Sequence, residues 1–129
     1  MLSLLFKPFK QMFSFKGRSA RMEYWGFIVL GYFTFFIISY IIINPMLWVS
    51  KEVTPSFVML AFAIYYGAFI IAQISLAVRR LHDTNRSGWW LWASFIPLIG
   101  TIWILILFCL DGTVGRNRFG PDPKRRYKP

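Results

Sequence analysis

The sequence predicts an all-α polytopic membrane protein. It reads as a helical bundle of three apolar segments in a single integral membrane domain over residues 1–129, with a short N-terminal helix lying in the interface. Of the 129 residues, 57% are hydrophobic and 20% aromatic, more apolar surface than a soluble domain of this size can bury. The apolar residues stand in uninterrupted blocks of about twenty rather than at periods of 2 or 3.6, as bilayer-crossing helices do. The charged residues, 15 Lys and Arg against 5 Asp and Glu, flank those blocks, where anionic lipid head groups meet them. That placement favours lipid over nucleic acid as the partner of the +10 charge.

Residues 1–15 form the interfacial helix. At 100° per residue, Leu2, Leu5, Phe6, Phe9, Met12 and Phe13 fall on one side, and Ser3, Lys7, Lys10 and Gln11 on the other, so the helix would lie apolar side down. Pro8 interrupts the hydrogen-bond ladder and suits a helix start. No basic region precedes the apolar residues, so the segment does not read as a signal peptide.

Tyr24 and Trp25 mark a head-group boundary, and the first membrane segment follows at residues 25–43, about 28 Å of helix. Asn44 and Pro45 end it, and residues 50–56 make a short, nearly neutral connection. The second segment is residues 57–78. Its Ala61, Ala68, Ala72 and Ser75 share a face on which helix backbones can approach closely. That face continues to Arg79 and delivers it to the protein interior. The same small residues suit either packing within the chain or a homo-oligomer. Gln73 reads as an interhelical hydrogen-bonding group, and the lone Cys109 as a packed apolar side chain. Ser87 is placed to cap the third segment, residues 89–110, where Trp89, Trp90 and Trp92 mark an interface again. Residues 111–129 are a turn-rich basic tail.

Pro97 and Gly100 sit in the middle of the third segment and leave two layouts open. Three full crossings put eight Lys and Arg on one side and seven on the other, which orients nothing. A third segment that turns back at residues 97–100 puts fourteen on one side and one on the other. A turn at that depth must be buried in protein or face water.

Chemistry concentrates in residues 79–90, which hold the only histidine. His82 and Asp83 could in principle exchange a proton, and the alternative reading of the chain is a transport or enzyme component using that pair. Adjacent helical residues, however, point about 100° apart. No nucleophile stands near, and a metal needs more ligands than these. No catalytic residue, metal or cofactor is therefore expected. Segments one and two also lack the intramembrane charges that mark transport routes.

Two non-catalytic readings remain. Arg79 and Asp83, four apart, can pair on one helix face and tie helix to turn. Glu23 can meet either basic cluster, Asp83 or Asn85 can bond turn amides, and Ser87-Gly88 starts the next helix beside Trp89. Alternatively, Arg18, Arg21, Arg79, Arg80 and Arg86 gather at one interface, where arginine's planar fork matches phosphate oxygens. The partner would be an anionic phospholipid or another membrane protein.

Three ordered stretches look familiar: Phe15-Lys16-Gly17-Arg18-Ser19-Ala20-Arg21-Met22-Glu23-Tyr24-Trp25, Arg79-Arg80-Leu81-His82-Asp83-Thr84-Asn85-Arg86-Ser87-Gly88-Trp89-Trp90, and Gly112-Thr113-Val114-Gly115-Arg116-Asn117-Arg118-Phe119-Gly120-Pro121-Asp122-Pro123. Together they resemble the signatures of the DUF805 family of small bacterial inner-membrane proteins. The resemblance implies that membrane and no particular activity. It adds Asn117, Gly120 and Asp122 of the third stretch to the expected structural junction. Asn85 stands where the family often has glycine, and both residues tolerate the left-handed conformation. Phe119 stands for a frequent tyrosine, and Asp111 for a frequent proline.

Overall fold

The computed structural model describes residues 7–44 and 55–124. Its elements are α1 (Arg21–Ile43), α2 (Pro55–Asp83), a 3-10 helix (Gly88–Phe95) and α3 (Ile99–Cys109). The described residues contain no strand, only one isolated bridge between Asn117 and Gly120. At 1.5 Å per residue, α1 and α2 are about 35 and 43 Å long, enough to cross a hydrocarbon core of about 30 Å. Only 11% of the most apolar stretch of each is buried. The rest presents Val29, Phe33, Phe36, Ile64 and Ile70 outward, a surface suited to lipid.

The α1–α2 contact is built on one small residue and a set of rings. A Cβ on Gly31 would overlap the Phe69 ring, so only glycine lets the helices approach this closely there. Phe27 stacks on Phe69 at 4.8 Å, and Phe9 meets Phe27 edge-on at 5.1 Å. Thr34 Oγ1 and the Tyr65 hydroxyl share a 2.8 Å hydrogen bond. On α2, Ala72, Ser75 and Leu76 are fully buried, Ala68 is half-buried and Ala61 is exposed. The small-residue face is thus a contact along its C-terminal part alone. Gln73 makes no side-chain hydrogen bond among the described residues, contrary to the sequence expectation.

Residues 7–10 form one helical turn, followed by a hydrogen-bonded turn. Phe9 and Met12 pack on the core, while Phe13 is 72% exposed, so the expected apolar side is divided between protein and surroundings. Ser75 Oγ donates to the Ser14 carbonyl at 2.8 Å and holds this segment over α2. Leu2, Leu5 and Phe6 lie outside the described residues.

The third apolar segment is not one straight helix. Pro97 has no N–H to continue the ladder, and Leu98 takes a left-handed φ of 59°. A Cβ on Gly100 would overlap the Ala93 carbonyl, so the 3-10 helix and α3 fold tightly on each other. The segment turns back, and α3, about 16 Å long, ends beside the residues that open α1 and close α2. All three sequence motifs meet there. Cys109, expected to pack inside, is exposed because it lies on the outer face of this short helix.

Candidate functional site

α3 ends in carbonyls that no later turn can satisfy. Side chains from the other helices supply the donors. Arg80 Nε donates to the Phe108 carbonyl at 3.2 Å and its Nη2 to the Leu110 carbonyl, while Arg21 Nη1 donates to the Cys109 carbonyl at 3.0 Å. Guanidinium groups at a helix C-terminus also offset the negative end of its dipole.

Asp83 is the centre of the junction. Its carboxylate takes Arg18 Nε at 2.9 Å and lies 2.8 Å from Arg18 Nη2. Its other oxygen accepts from Arg80 Nη1. All three side chains are essentially inaccessible, at 1% or less. Arg18 then reaches outward, donating to the carbonyls of Thr113 at 2.5 Å and Gly115 at 2.6 Å. The Asp83 carbonyl accepts Thr113 N at 2.9 Å. A Cβ on Gly112 would overlap the Asp83 carboxylate, which accounts for glycine at the start of the closing motif.

Arg79, expected to pair with Asp83, points elsewhere. Its Nη1 donates to Gln11 Oε1 and lies 3.8 Å from Glu23 Oε1. Glu23 also takes Lys7 Nζ at 3.1 Å. On a helix the i+3 and i+4 positions are both neighbours. The rotation of α2 gives Asp83 to Arg80 and turns Arg79 toward the N-terminal segment. Arg79 Nε, Arg79 Nη2, Glu23 Oε1 and Ser19 Oγ have no hydrogen-bond partner among the described residues.

His82 and Asp83 do not face each other. The imidazole donates from Nδ1 to the Gly17 carbonyl at 3.1 Å and stacks on Phe119 at 3.9 Å and 3°. The closing motif completes the junction. Asn117 Nδ2 donates to the His82 carbonyl at 2.9 Å and to Thr113 Oγ1 at 2.9 Å. Gly120 turns at a φ of 139°, and Asp122 Oδ1 accepts Lys124 N at 2.9 Å. Asn85 takes the left-handed φ of 59°, and its carbonyl accepts Arg118 Nη2 at 3.0 Å. Ser87 Oγ accepts Trp89 N at 3.3 Å and caps the 3-10 helix.

Of the five arginines grouped by sequence, Arg18, Arg79 and Arg80 are buried against protein partners. Arg21 bonds Asp111 at 2.9 Å with its side chain 39% exposed. Arg86 is half-buried, with no side-chain partner among the described residues. Sequence reasoning missed the Arg18–Asp83 pair and the closing carbonyls as its other ligands. Among the described residues, no three His, Cys, Asp or Glu side chains gather as metal ligands do.

Two helices that span a bilayer, a re-entrant third segment and an arginine-locked junction at one end define a multi-pass helical membrane protein. The chain belongs to the DUF805 family, described as a protein of unknown function, whose model matches residues 12–121. It is 41% identical to the inner membrane protein YhaI of Escherichia coli K12, over 89% of this chain and 90% of that one. It is 36% identical to the inner membrane protein YhaH of the same strain, over 92% and 93%. No solved structure matches. The chain is accordingly a multi-pass protein of the bacterial inner membrane.

Proposed function

We propose that this is a non-catalytic membrane protein whose basic end, read as cytoplasmic, binds anionic phospholipid head groups. The observation that carries this reading is how the charges are distributed. Glu23, Asp83 and Asp111 are each taken by two basic side chains, and Asp122 closes a turn. Lys10, Lys16, Arg86 and Arg116 have no ion pair among the described residues, and they border the same end of the bundle. With the third segment turned back, fourteen of the fifteen Lys and Arg fall on that side, the distribution of a cytoplasmic face. A cluster of four to eight such cations beside a membrane helix attracts anionic lipid. The buried arginines then serve as architecture, and the cations without an ion pair bind.

The test is to purify the full chain in mild detergent and measure retained lipid. Anionic phospholipid should exceed zwitterionic, and Lys10→Gln, Lys16→Gln, Arg86→Gln and Arg116→Gln combined should remove the excess without lowering Tm. Retention indifferent to lipid charge, or to the four substitutions, would refute the reading.

A further inference from the structure

A groove of about 430 Å³ opens beside the junction, lined by Phe15, Val78, His82, Ser87, Gly88 and Trp89. Of its lining, His82 also ties the motifs together, through the Gly17 carbonyl and the Phe119 ring. Gly88 makes the groove possible, since a Cβ there would lie 2.8 Å from a Val78 methyl carbon. One wall is apolar, from Val78 and two exposed rings, Phe15 at 45% and Trp89 at 77%. Tryptophan rings sit at head-group depth.

The polar groups of the groove are few and defined. His82 is more than nine-tenths buried. Because its Nδ1–H is given to the Gly17 carbonyl, the neutral ring holds its lone pair on Nε2, which has no partner among the described residues. Ser87 Oγ accepts Trp89 N, which leaves its O–H free to donate. Lys16 and Arg86, next in sequence to Phe15 and Ser87, have no side-chain partner among the described residues. The groove therefore offers an acceptor and a donor above an apolar wall, with a cation one residue along the chain from each of two lining residues.

We propose that this groove holds the head group of a hydroxyl-bearing anionic phospholipid, of which phosphatidylglycerol is the simplest form. A head-group hydroxyl donates to His82 Nε2. The phosphodiester accepts the Ser87 hydroxyl and meets Lys16 and Arg86, and the glycerol backbone lies against Val78 and Trp89. An ammonium head group also has hydrogens for Nε2, but the two cations oppose it. The proposal rests on the head-group reading above and gives it a specific site and a lipid class.

The experiment offers the detergent-purified full chain an equimolar mixture of phosphatidylglycerol, phosphatidic acid and phosphatidylethanolamine, and counts bound lipid by native mass spectrometry. Phosphatidic acid is anionic but lacks the head-group alcohol. Wild type should retain phosphatidylglycerol over phosphatidic acid by about fivefold, the factor one net hydrogen bond supplies. His82→Asn puts an amide NH2 near the Nδ1 position and deletes Nε2, so it should lose that preference. Trp89→Ala removes a ring that is 77% exposed and keeps the backbone N–H that Ser87 caps, so it should lower phosphatidylglycerol retention by a similar factor with Tm unchanged. Equal retention of the two anionic lipids by wild type, undiminished preference in His82→Asn, or undiminished phosphatidylglycerol retention in Trp89→Ala overturns the groove assignment. If anionic lipid still exceeds phosphatidylethanolamine, the broader basic-surface reading survives that failure; if it does not, both fall. Should millimolar inorganic phosphate displace the lipid or raise Tm as much as phosphatidylglycerol does, the ligand is a free anion and the lipid assignment is wrong.

Discussion

Arg18 and Asp83 lie 65 residues apart in the chain and form a buried ion pair at 2.8 Å. The pair joins the segment before α1 to the last residue of α2. Through the remaining Arg18 donors it also holds the loop that follows α3. One guanidinium therefore fastens three pieces of chain that no single helix connects.

Removing the charge from Asp83 should be more damaging than any other single change in the junction. Asp83→Asn leaves Arg18 and Arg80 buried with no counter-charge, and breaking a buried pair in this way costs about 3–5 kcal/mol. Thermal unfolding in detergent checks this, and a Tm within error of wild type would contradict it. Arg18→Lys keeps the charge but loses the planar fork, so it should fall between the two.

Glu23 and Arg79 form the loosest of the three buried pairs, at 3.8 Å. Glu23→Gln should cost about 1–3 kcal/mol, the range for a buried charged group left short of partners. Combining it with Arg79→Met should recover most of that loss, because the uncompensated charge goes too. A double-mutant cycle on Tm measures the coupling. Strictly additive losses would mean the two groups do not interact.

Two glycines provide a paired steric test. Gly112→Ala drives a Cβ into the Asp83 carboxylate and should destabilise by about 1–3 kcal/mol, as overpacking does. Gly67→Ala lies within α2 with nothing within 4 Å of the new methyl carbon. It should be neutral or stabilising by up to about 1 kcal/mol. Equal effects at both positions would count against the close approach of the closing motif to α2.

The turned-back third segment sets the side on which the chain ends. Compartment-sensitive reporters fused after Pro129 and inserted at Lys51 should report opposite sides of the membrane, with the Pro129 fusion cytoplasmic. Matching reports would require residues 89–110 to cross fully, and opposite reports with a periplasmic C-terminus would invert the orientation read from the charges.

Much of the architecture is legible in the sequence because bilayer physics acts through local composition. Residues 25–43 and 57–78 fall within α1 and α2. Pro97 and Gly100 flag the place where the third segment folds, although charge counting and helix length pulled in opposite directions. Ser87 and Asn85 do what their side chains favour locally. The partner of Asp83 was not legible. Spacing alone allows Arg79 or Arg80, and the packing of Ala72, Ser75 and Leu76 settles the rotation of α2. From sequence Arg18 reads as facing lipid, because its acceptors, the Thr113 and Gly115 carbonyls, are backbone atoms that leave no mark in composition. Cys109 misleads for a related reason, since an apolar residue in a membrane helix fits equally well facing inward or outward.

The span between Arg18 and the carbonyls it binds orders events during biosynthesis. Arg18 leaves the ribosome well before Thr113, Gly115 and Gly120 exist. α1 therefore inserts while Arg18 is still solvated by water and head groups at the bilayer surface. Only when the closing motif emerges can Arg18 gain its carbonyl ligands, and only then is its charge withdrawn from the lipid. A chain truncated ahead of Gly112 would insert normally yet keep that charge at the membrane surface, where quality-control proteases could recognise an unfinished protein.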